Sequence, residues 1–319
     1  MKDLLVAPVA TYTVRPHFEG ANIQTWIGFK HFVYLVQEAV LEHFRQQGFG
    51  PHCLFTQYGL CLEFVELRAR LLHPLFLDNE VNVQVQSRRP ASGNELSLTI
   101  GMSTTEGVDV LAGKVNVLFR MEGGTHSSHS VPGPLAPHVC AEIKRSVPDP
   151  RPPVQVARVR GPAAEQEVVD QLLRPNPNAF VWKWRIPYFF CHFSRRLELS
   201  GYVRLLEEVV DLFLADRGIS IRTMLETHRW IPVVSEVHLE VLREAHMEEV
   251  IYTVYAVEDV LKDLAYTARM DCYVPRDGEL VRTATGRIVH GYAEIRDQGE
   301  AALARFDAST IAALRGQAP

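Results

Sequence analysis

Two carboxylates occupy the same place in two similar stretches of this chain. Glu38 lies in Phe32-Val-Tyr-Leu-Val-Gln-Glu-Ala-Val-Leu-Glu-His-Phe-Arg-Gln-Gln-Gly48, and Glu208 in Tyr202-Val-Arg-Leu-Leu-Glu-Glu-Val-Val-Asp-Leu-Phe-Leu-Ala-Asp-Arg-Gly218. A carboxylate among apolar neighbours on a buried helix loses hydration, holds its proton more tightly and becomes a general base suited to neutral pH. Each also has a plainer reading. Glu38 fits a solvated stripe with Gln37, Glu42 and Arg45, and Glu208 fits an i, i+4 pair with Arg204. His192, just ahead of the second stretch, is the histidine best placed for proton transfer, its alternative being a hydrogen-bonded interior residue. Arg195 and Arg196 can grip a carboxylate or phosphate, or serve as surface charges. Ahead of the first stretch, Asn22 and Thr25 offer polar atoms where a helix start leaves N–H groups in need of partners. His31 opens that helix, as a cap or as the lining of a domain interface. Tyr58, read on a strand facing the helix, is a hydrogen-bond donor, an unusual nucleophile or a packed aromatic.

The elements that must position these residues form a repeat. The two stretches coincide at one offset of 170 residues (48 to 218, 38 to 208), pairing Leu35 with Leu205, Val40 with Val210 and both terminal glycines. Each reads as a helix closed by a glycine at positive φ, and its apolar circumference suits burial on several sides. A repeated unit of this size means a duplicated domain.

Around each helix the pattern is that of strands. In the first copy these are Tyr12–Pro16, Phe55–Phe64, Glu63–Leu72, Val81–Gln86, Glu95–Ser103 and Val110–Arg120, with a hairpin turn at Thr105-Glu-Gly. In the second they are Phe180–Ile186, a strand pair over Trp230–Leu242, Val250–Val257, Leu264–Val274 and Val281–Ile295, with Pro275-Arg-Asp-Gly278 as the hairpin turn. Glu244-Ala-His-Met-Glu-Glu249 takes the place of the turn Leu75–Glu80. A stretch rich in Pro and Gly joins the copies and carries two short helices, Ala136–Arg145 and Ala163–Leu173. The expected organisation is a first domain over 1–145, a linker over 146–177 and a second domain over 178–319, ending in a small helix.

Of the 319 residues, 47% are hydrophobic and 22% charged, with a net charge of -5, which argues against nucleic acid as a partner. No apolar run reaches membrane-spanning length, and the run after Met1 is too short for a signal peptide. Five cysteines without metal-ligand spacing suit reduced thiols and a cytoplasmic protein.

The order of strand, loop, long helix and four or five antiparallel strands, performed twice, resembles the double-hotdog arrangement, an α+β fold in which a curled sheet wraps a central helix. The likeness is closest to acyl-acyl-carrier-protein thioesterases. It rests on Gly20-Ala-Asn with Leu35-Val-Gln-Glu-Ala-Val-Leu-Glu-His, on Leu71-Leu-His-Pro-Leu-Phe-Leu-Asp-Asn-Glu-Val, and on Gly286-Arg-Ile-Val. It implies hydrolysis of an acyl thioester of acyl-carrier protein or coenzyme A in a fatty-acid or polyketide-type pathway. It implies no metal or redox cofactor, and either a monomer or a homodimer. Such enzymes carry an acidic residue, then Gly-His-Val-Asn-Asn and Tyr, before the helix. Here His192 and Asn22 stand at the acid position, Arg195-Arg196-Leu197-Glu198 replace Gly-His-Val-Asn, and Trp26 stands at the histidine position. This departure leaves acyl transfer, decarboxylation, dehydration, isomerisation or non-catalytic acyl binding as alternatives.

Overall fold

An 18-residue helix, α1 (Phe29–Gln46), recurs as α4 (Leu199–Asp216), displaced by 170 residues at both ends. The structure, a computed structural model, describes residues 10–88, 93–123, 129–148, 161–191, 194–296 and 301–317. It divides into two compact units, Met1–Lys144 with Glu198–Ser200, and Arg145–Leu197 with Gly201–Pro319.

In the first unit β1 (Ala10–Val14), α1, α2 (Pro51–Tyr58), β2 (Leu60–Leu71), β3 (Val81–Arg88), β4 (Leu96–Thr104) and β5 (Asp109–Met121) follow in order. Its antiparallel strands lie in the order β1-β3-β4-β5-β2, and a two-residue strand, β6 (Val139–Cys140), adds to β5 in parallel. The second unit opens with α3 (Pro162–Leu173). It continues through β7 (Phe180–Arg185), α4, α5 (Ile221–His228), β8 (Trp230–Val241), β9 (Val250–Leu261), β10 (Ala265–Arg276) and β11 (Glu279–Ile295). It ends with β12 (Ala301–Leu303) and α6 (Ala308–Leu314). Its order, β7-β9-β10-β11-β8, repeats the first, with β12 added on β11. Each unit is a hotdog, a sheet curled about its helix. Phe44 of α1 meets Phe119 of β5 edge-on at 5.6 Å, and Phe213 of α4 meets Tyr255 of β9 at 5.2 Å.

Burial follows the helical period. Phe32, Val33, Leu35, Val36, Ala39, Val40 and Phe44 are buried on α1, as are their counterparts on α4. Gln37, Glu42 and Arg45 turn outward with Glu38. Gly48 and Gly218, at φ +84° and +75°, end the helices in the left-handed region, as expected. The Asp277-Gly278 hairpin has both central residues at positive φ, the conformation that matches strand twist.

Three local expectations are corrected. Phe55–Phe64 is not one strand: Phe55–Tyr58 is helical, and only Leu60–Phe64 lies in a strand. Proline at the first position of α2 and Gly59 at φ +65° bracket a helix there, and a single long β2 follows. Trp230–Leu242 is likewise one strand, preceded by α5, whose Ser220 side chain accepts from the Thr223 amide at 3.2 Å. Ala136–Arg145 forms only a short turn over Ala136–His138 and then β6, whereas Ala163–Leu173 lies within α3.

Packing at the helix starts is exchanged between the copies. A methyl group on Gly20 would lie 2.8 Å from the His31 ring, and one on Gly201 would lie 2.5 Å from Leu197 and 3.1 Å from the Phe190 carbonyl. The positions correspond at the same offset, so the glycine of one copy faces the ring that the other places on the opposite element. Gly201→Ala is expected to destabilise the protein by about 1–3 kcal/mol, the usual cost of overpacking, read as a lower urea midpoint at unchanged slope.

Candidate active site

The turn between β8 and β9 closes on itself. The Glu249 amide donates to the His246 carbonyl at 3.2 Å, and the His246 amide donates to the Glu249 carboxylate at 2.7 Å. The segment leading to α4 lies against this turn. The Leu197 amide donates to Ala245 O at 2.7 Å and the Met247 amide to Arg195 O at 2.8 Å, so Arg196 and His246 are bridge partners. Along an extended segment alternate side chains face opposite ways. Arg196 is accordingly buried while Arg195 is exposed.

Side chains complete an ionic cluster. Half-buried His246 has Nε2 3.6 Å from Glu244 and Nδ1 3.6 Å from Glu249. Arg276, at the end of β10, forks onto Glu249 with contacts of 2.9 and 2.6 Å and donates to the Glu244 carbonyl at 2.7 Å. Hydrogen bonding to Glu244, then to Glu249, raises the pKa of His246 to about 9. Burial works against the charge of Glu249, yet hydrogen bonds from His246 and Arg276 hold it down at about 2. Fully buried Tyr202 of α4, its pKa pushed up first by burial, senses Cys272, Arg276 and Glu249, which sets the cluster beside the helix start. Arg276 Nη2, 3.3 Å from His246 Nδ1, opposes a charge on the ring, but the two carboxylates outweigh it, so the corner favours a protonated His246 with one side open to solvent.

The first unit builds the same corner without charge. The Ile27 amide donates to Leu75 O at 2.8 Å and the Leu77 amide to Thr25 O at 3.1 Å. Asn79 closes the turn, accepting from the Phe76 amide at 2.8 Å, and the facing pair is Trp26 and Phe76, edge-on at 5.9 Å. Arg196, His246 and Glu249 thus replace Trp26, Phe76 and Asn79.

The residues singled out from sequence fall into several places. Arg195 and Arg196 join the His246 turn, Arg196 as a buried residue rather than a surface charge. His192 lies outside the described residues. Glu38 and Glu208 are exposed, and Glu38 pairs with Arg45 at 3.6 Å. The burial that would have made them strong bases is absent because both fall on the outward stripe of their helices. Asn22 and Thr25 are exposed in the entry loop of α1. Asn22 accepts from the Ile23 amide at 2.8 Å, and Thr25 is held at φ +64°, strained for a β-branched residue. His31 is buried in the first turn of α1, edge-on to Tyr34, and the helix cap is Gly28, which lends no side chain. Tyr58 ends α2 instead of lying on a strand, its ring 6.1 Å from that of His129. His246, Glu249 and Arg276 were missed. Their signal was the polar replacement of Phe76 and Asn79 within the repeat.

Residues 188–314 match the thioesterase-like superfamily, a span that covers the second hotdog from before α4 to α6. No curated protein sequence matches the chain. Among solved structures, the 12:0-ACP thioesterase from Umbellularia californica superposes with a TM-score of 0.59 at 13% identity, covering 89% of this chain and 94% of that one. An acyl-ACP thioesterase from Bacteroides thetaiotaomicron gives 0.55 at 10% identity, covering 88% and 97%. These likenesses bear out the double-hotdog fold over nearly the whole chain. No helix among the described residues is long and apolar enough to cross a membrane.

The titration of the cluster fixes the sign of its pH dependence. The folded-state pKa of His246 lies above its ordinary 6.5, so its stabilisation is complete below that pH and lost as pH rises through about 9. Glu249 is shifted the other way, so its contribution is present above 4.5 and lost as pH falls through about 2. The difference in unfolding free energy between wild type and His246→Gln is expected to shrink as pH climbs from 6.5 through 9, as measured by urea denaturation.

Proposed function

We propose that this chain, whose second hotdog matches the thioesterase-like superfamily, hydrolyses acyl thioesters borne on the pantetheine arm of acyl-carrier protein or coenzyme A. The observation that carries this reading is the half-buried ring of His246, 3.6 Å from both Glu244 and Glu249 beside α4, a setting that favours its protonated form. Hydrolysis of a thioester needs donors for the oxyanion that forms when water adds to the carbonyl carbon. It also needs a proton for the thiolate that leaves when the C–S bond breaks. An aliphatic thiol ionises near ~8.5, close to the value of about 9 held by His246. A proton donor matched to its acceptor in this way serves general acid catalysis at neutral pH. Glu249 remains ionised throughout and acts as a positioning residue, and Arg276 fixes Glu249. We assign Arg195, exposed on the adjoining segment, to the phosphate of the carrier arm. The proton of the attacking water passes to an imidazole at the helix entrance. His192, just ahead of α4 in the sequence, is the residue we assign to that role in the second unit; Glu208 and Glu38, exposed on the outward stripes of their helices, take no part in it.

Intact-protein mass spectrometry of acyl-carrier proteins incubated with the protein tests this directly. Wild type is expected to return the free carrier, and His246→Gln to slow the reaction roughly 10²–10⁴-fold with the fold intact, as loss of a general acid does. Loss of carbon dioxide from the acyl group, transfer to a second carrier, or loss of water would overturn hydrolysis in favour of another reaction on the same fold. Turnover undiminished in His246→Gln would remove the corner from the mechanism.

A further inference from the structure

Four buried polar groups in the second unit have no counterpart in the first. The strand registers identify the equivalent positions. Tyr292 pairs with Pro232 as Phe119 pairs with Leu62, and Tyr266 faces His290 as Leu96 faces Val117. Tyr255 faces Phe180 as Val85 faces Ala10. Val85, Leu96, Val117 and Phe119 are fully buried and wholly apolar. In the second unit the same four places hold Tyr255, Tyr266, His290 and Tyr292, also buried; the Tyr292 hydroxyl and the Nδ1 atom of His290 have no hydrogen-bond partner in the protein, and the Tyr255 and Tyr266 hydroxyls have at most each other.

These groups form one cluster. The Tyr266 and His290 rings lie 4.9 Å apart, and those of His290 and Tyr292 lie 5.5 Å apart. Burial pushes up the pKa of all three tyrosines. Beyond that, Tyr266 is tied to Tyr255 by a hydrogen bond and to Tyr292 by charge, and both Tyr266 and Tyr292 are tied to Asp211 of α4, which puts their hydroxyl ends toward the helix. Aromatic rings wall the cluster, with Phe213 5.2 Å from Tyr255 and Trp230 5.7 Å from Tyr292. Bulk alone does not account for the hydroxyls, because the first unit fills the place of Tyr292 with phenylalanine. A buried hydroxyl or imidazole nitrogen that loses its hydration without a partner weakens the fold, so such groups are kept where something else satisfies them.

We infer that the interior of the second hotdog binds a neutral, oxygenated acyl group, a chain or ring carrying hydroxyl or keto oxygens, with Tyr255, Tyr266, His290 and Tyr292 as its hydrogen-bonding partners. This inference rests on the thioesterase reading and names its substrate class. Neutrality follows from burial, which disfavours charge and holds His290 uncharged, with a pKa near 3. Tyrosine hydroxyls donate and accept, and neutral imidazole does either, so the set suits oxygens of both kinds. A purely hydrocarbon chain would leave the Tyr292 hydroxyl and the Nδ1 atom of His290 unmet.

The test uses pantetheine amides, which cannot be hydrolysed at a thioester, in matched pairs: hydroxyphenylpropionyl against phenylpropionyl, and hydroxyoctanoyl against octanoyl. Calorimetric titration of the full chain is expected to show the oxygenated member binding at least about tenfold tighter, since a site built to bond a hydroxyl rejects the analogue lacking it. Tyr266→Phe and Tyr292→Phe are expected to erase that ratio, with the melting temperature of the free protein unchanged or raised. Pairs that bind within about twofold of each other in wild type would overturn the inference. So would Phe variants that melt lower while keeping the ratio, since the hydroxyls would then serve the fold alone, through buried water. Hydrolysis of the corresponding thioesters is followed separately. No turnover with the binding ratio intact sinks the thioesterase reading, and turnover without the ratio sinks this one.

Discussion

Two backbone hydrogen bonds, made once in each hotdog, govern the entrance of its central helix. They join the segment before each central helix to the turn opposite it, Leu197 to Ala245 and Met247 to Arg195 in one unit, Ile27 to Leu75 and Leu77 to Thr25 in the other. An extended segment held this way has no freedom over which side chains face the turn. One residue from each side must form the facing pair, and its chemistry decides what that end of the hotdog can do. Trp26 with Phe76 makes a packed aromatic contact. Arg196 with His246 makes a cationic corner, to which Glu244, Glu249 and Arg276 add the charges that keep it folded.

Divergence between the copies conserved volume at the helix starts and changed both size and polarity on the sheet. Gly20 with His31 and Phe190 with Gly201 place one ring and one glycine across the same gap from opposite sides. Large-for-small exchanges that conserve volume are what a close-packed core tolerates best. On the sheet, Tyr292 for Phe119 adds a hydroxyl at nearly unchanged shape, whereas Tyr255, Tyr266 and His290 also replace the smaller Val85, Leu96 and Val117. The second unit also carries a deeply buried carboxylate, Asp271, met by Arg269 at 2.9 Å, Arg282 at 3.4 Å and Thr285 at 2.8 Å. Arg282 in turn donates to the carbonyl oxygens of Val147 and Pro148, so one buried anion orders the chain as it enters the unit. Removing one partner of such a set leaves a charge uncompensated, which makes the arrangement costly to break.

The fold was legible in the sequence because the repeat carried it. The offset shared by Glu38 and Glu208 and by Gly48 and Gly218 located both helices, and alternation located most strands. Strand and helix were confused at Phe55–Phe64, where the Gly50-Pro51 start and the Gly59 stop carried more information than a few alternating residues. The site was less legible. Glu38 and Glu208 drew attention by their apolar neighbours in sequence, but a helix places residues four apart on one face, and theirs faces water. His246, Glu249 and Arg276 are spread over a turn and a strand end. The turn alone brings His246 to Glu249, but Arg276 joins them only once β9 and β10 have paired, and nothing local in the sequence reports that.

The pH dependence of thioester hydrolysis bears most directly on the central claim, that a protonated His246 at the second helix entrance serves the reaction. With spontaneous alkaline hydrolysis subtracted, kcat/KM is predicted to fall as pH rises through about 9 in the wild-type protein, and the descent is predicted to vanish in His246→Gln, leaving a low, flat profile. A wild-type profile that stays level through pH 9, or the same descent in the variant, would contradict the account and move the proton donor elsewhere on the fold.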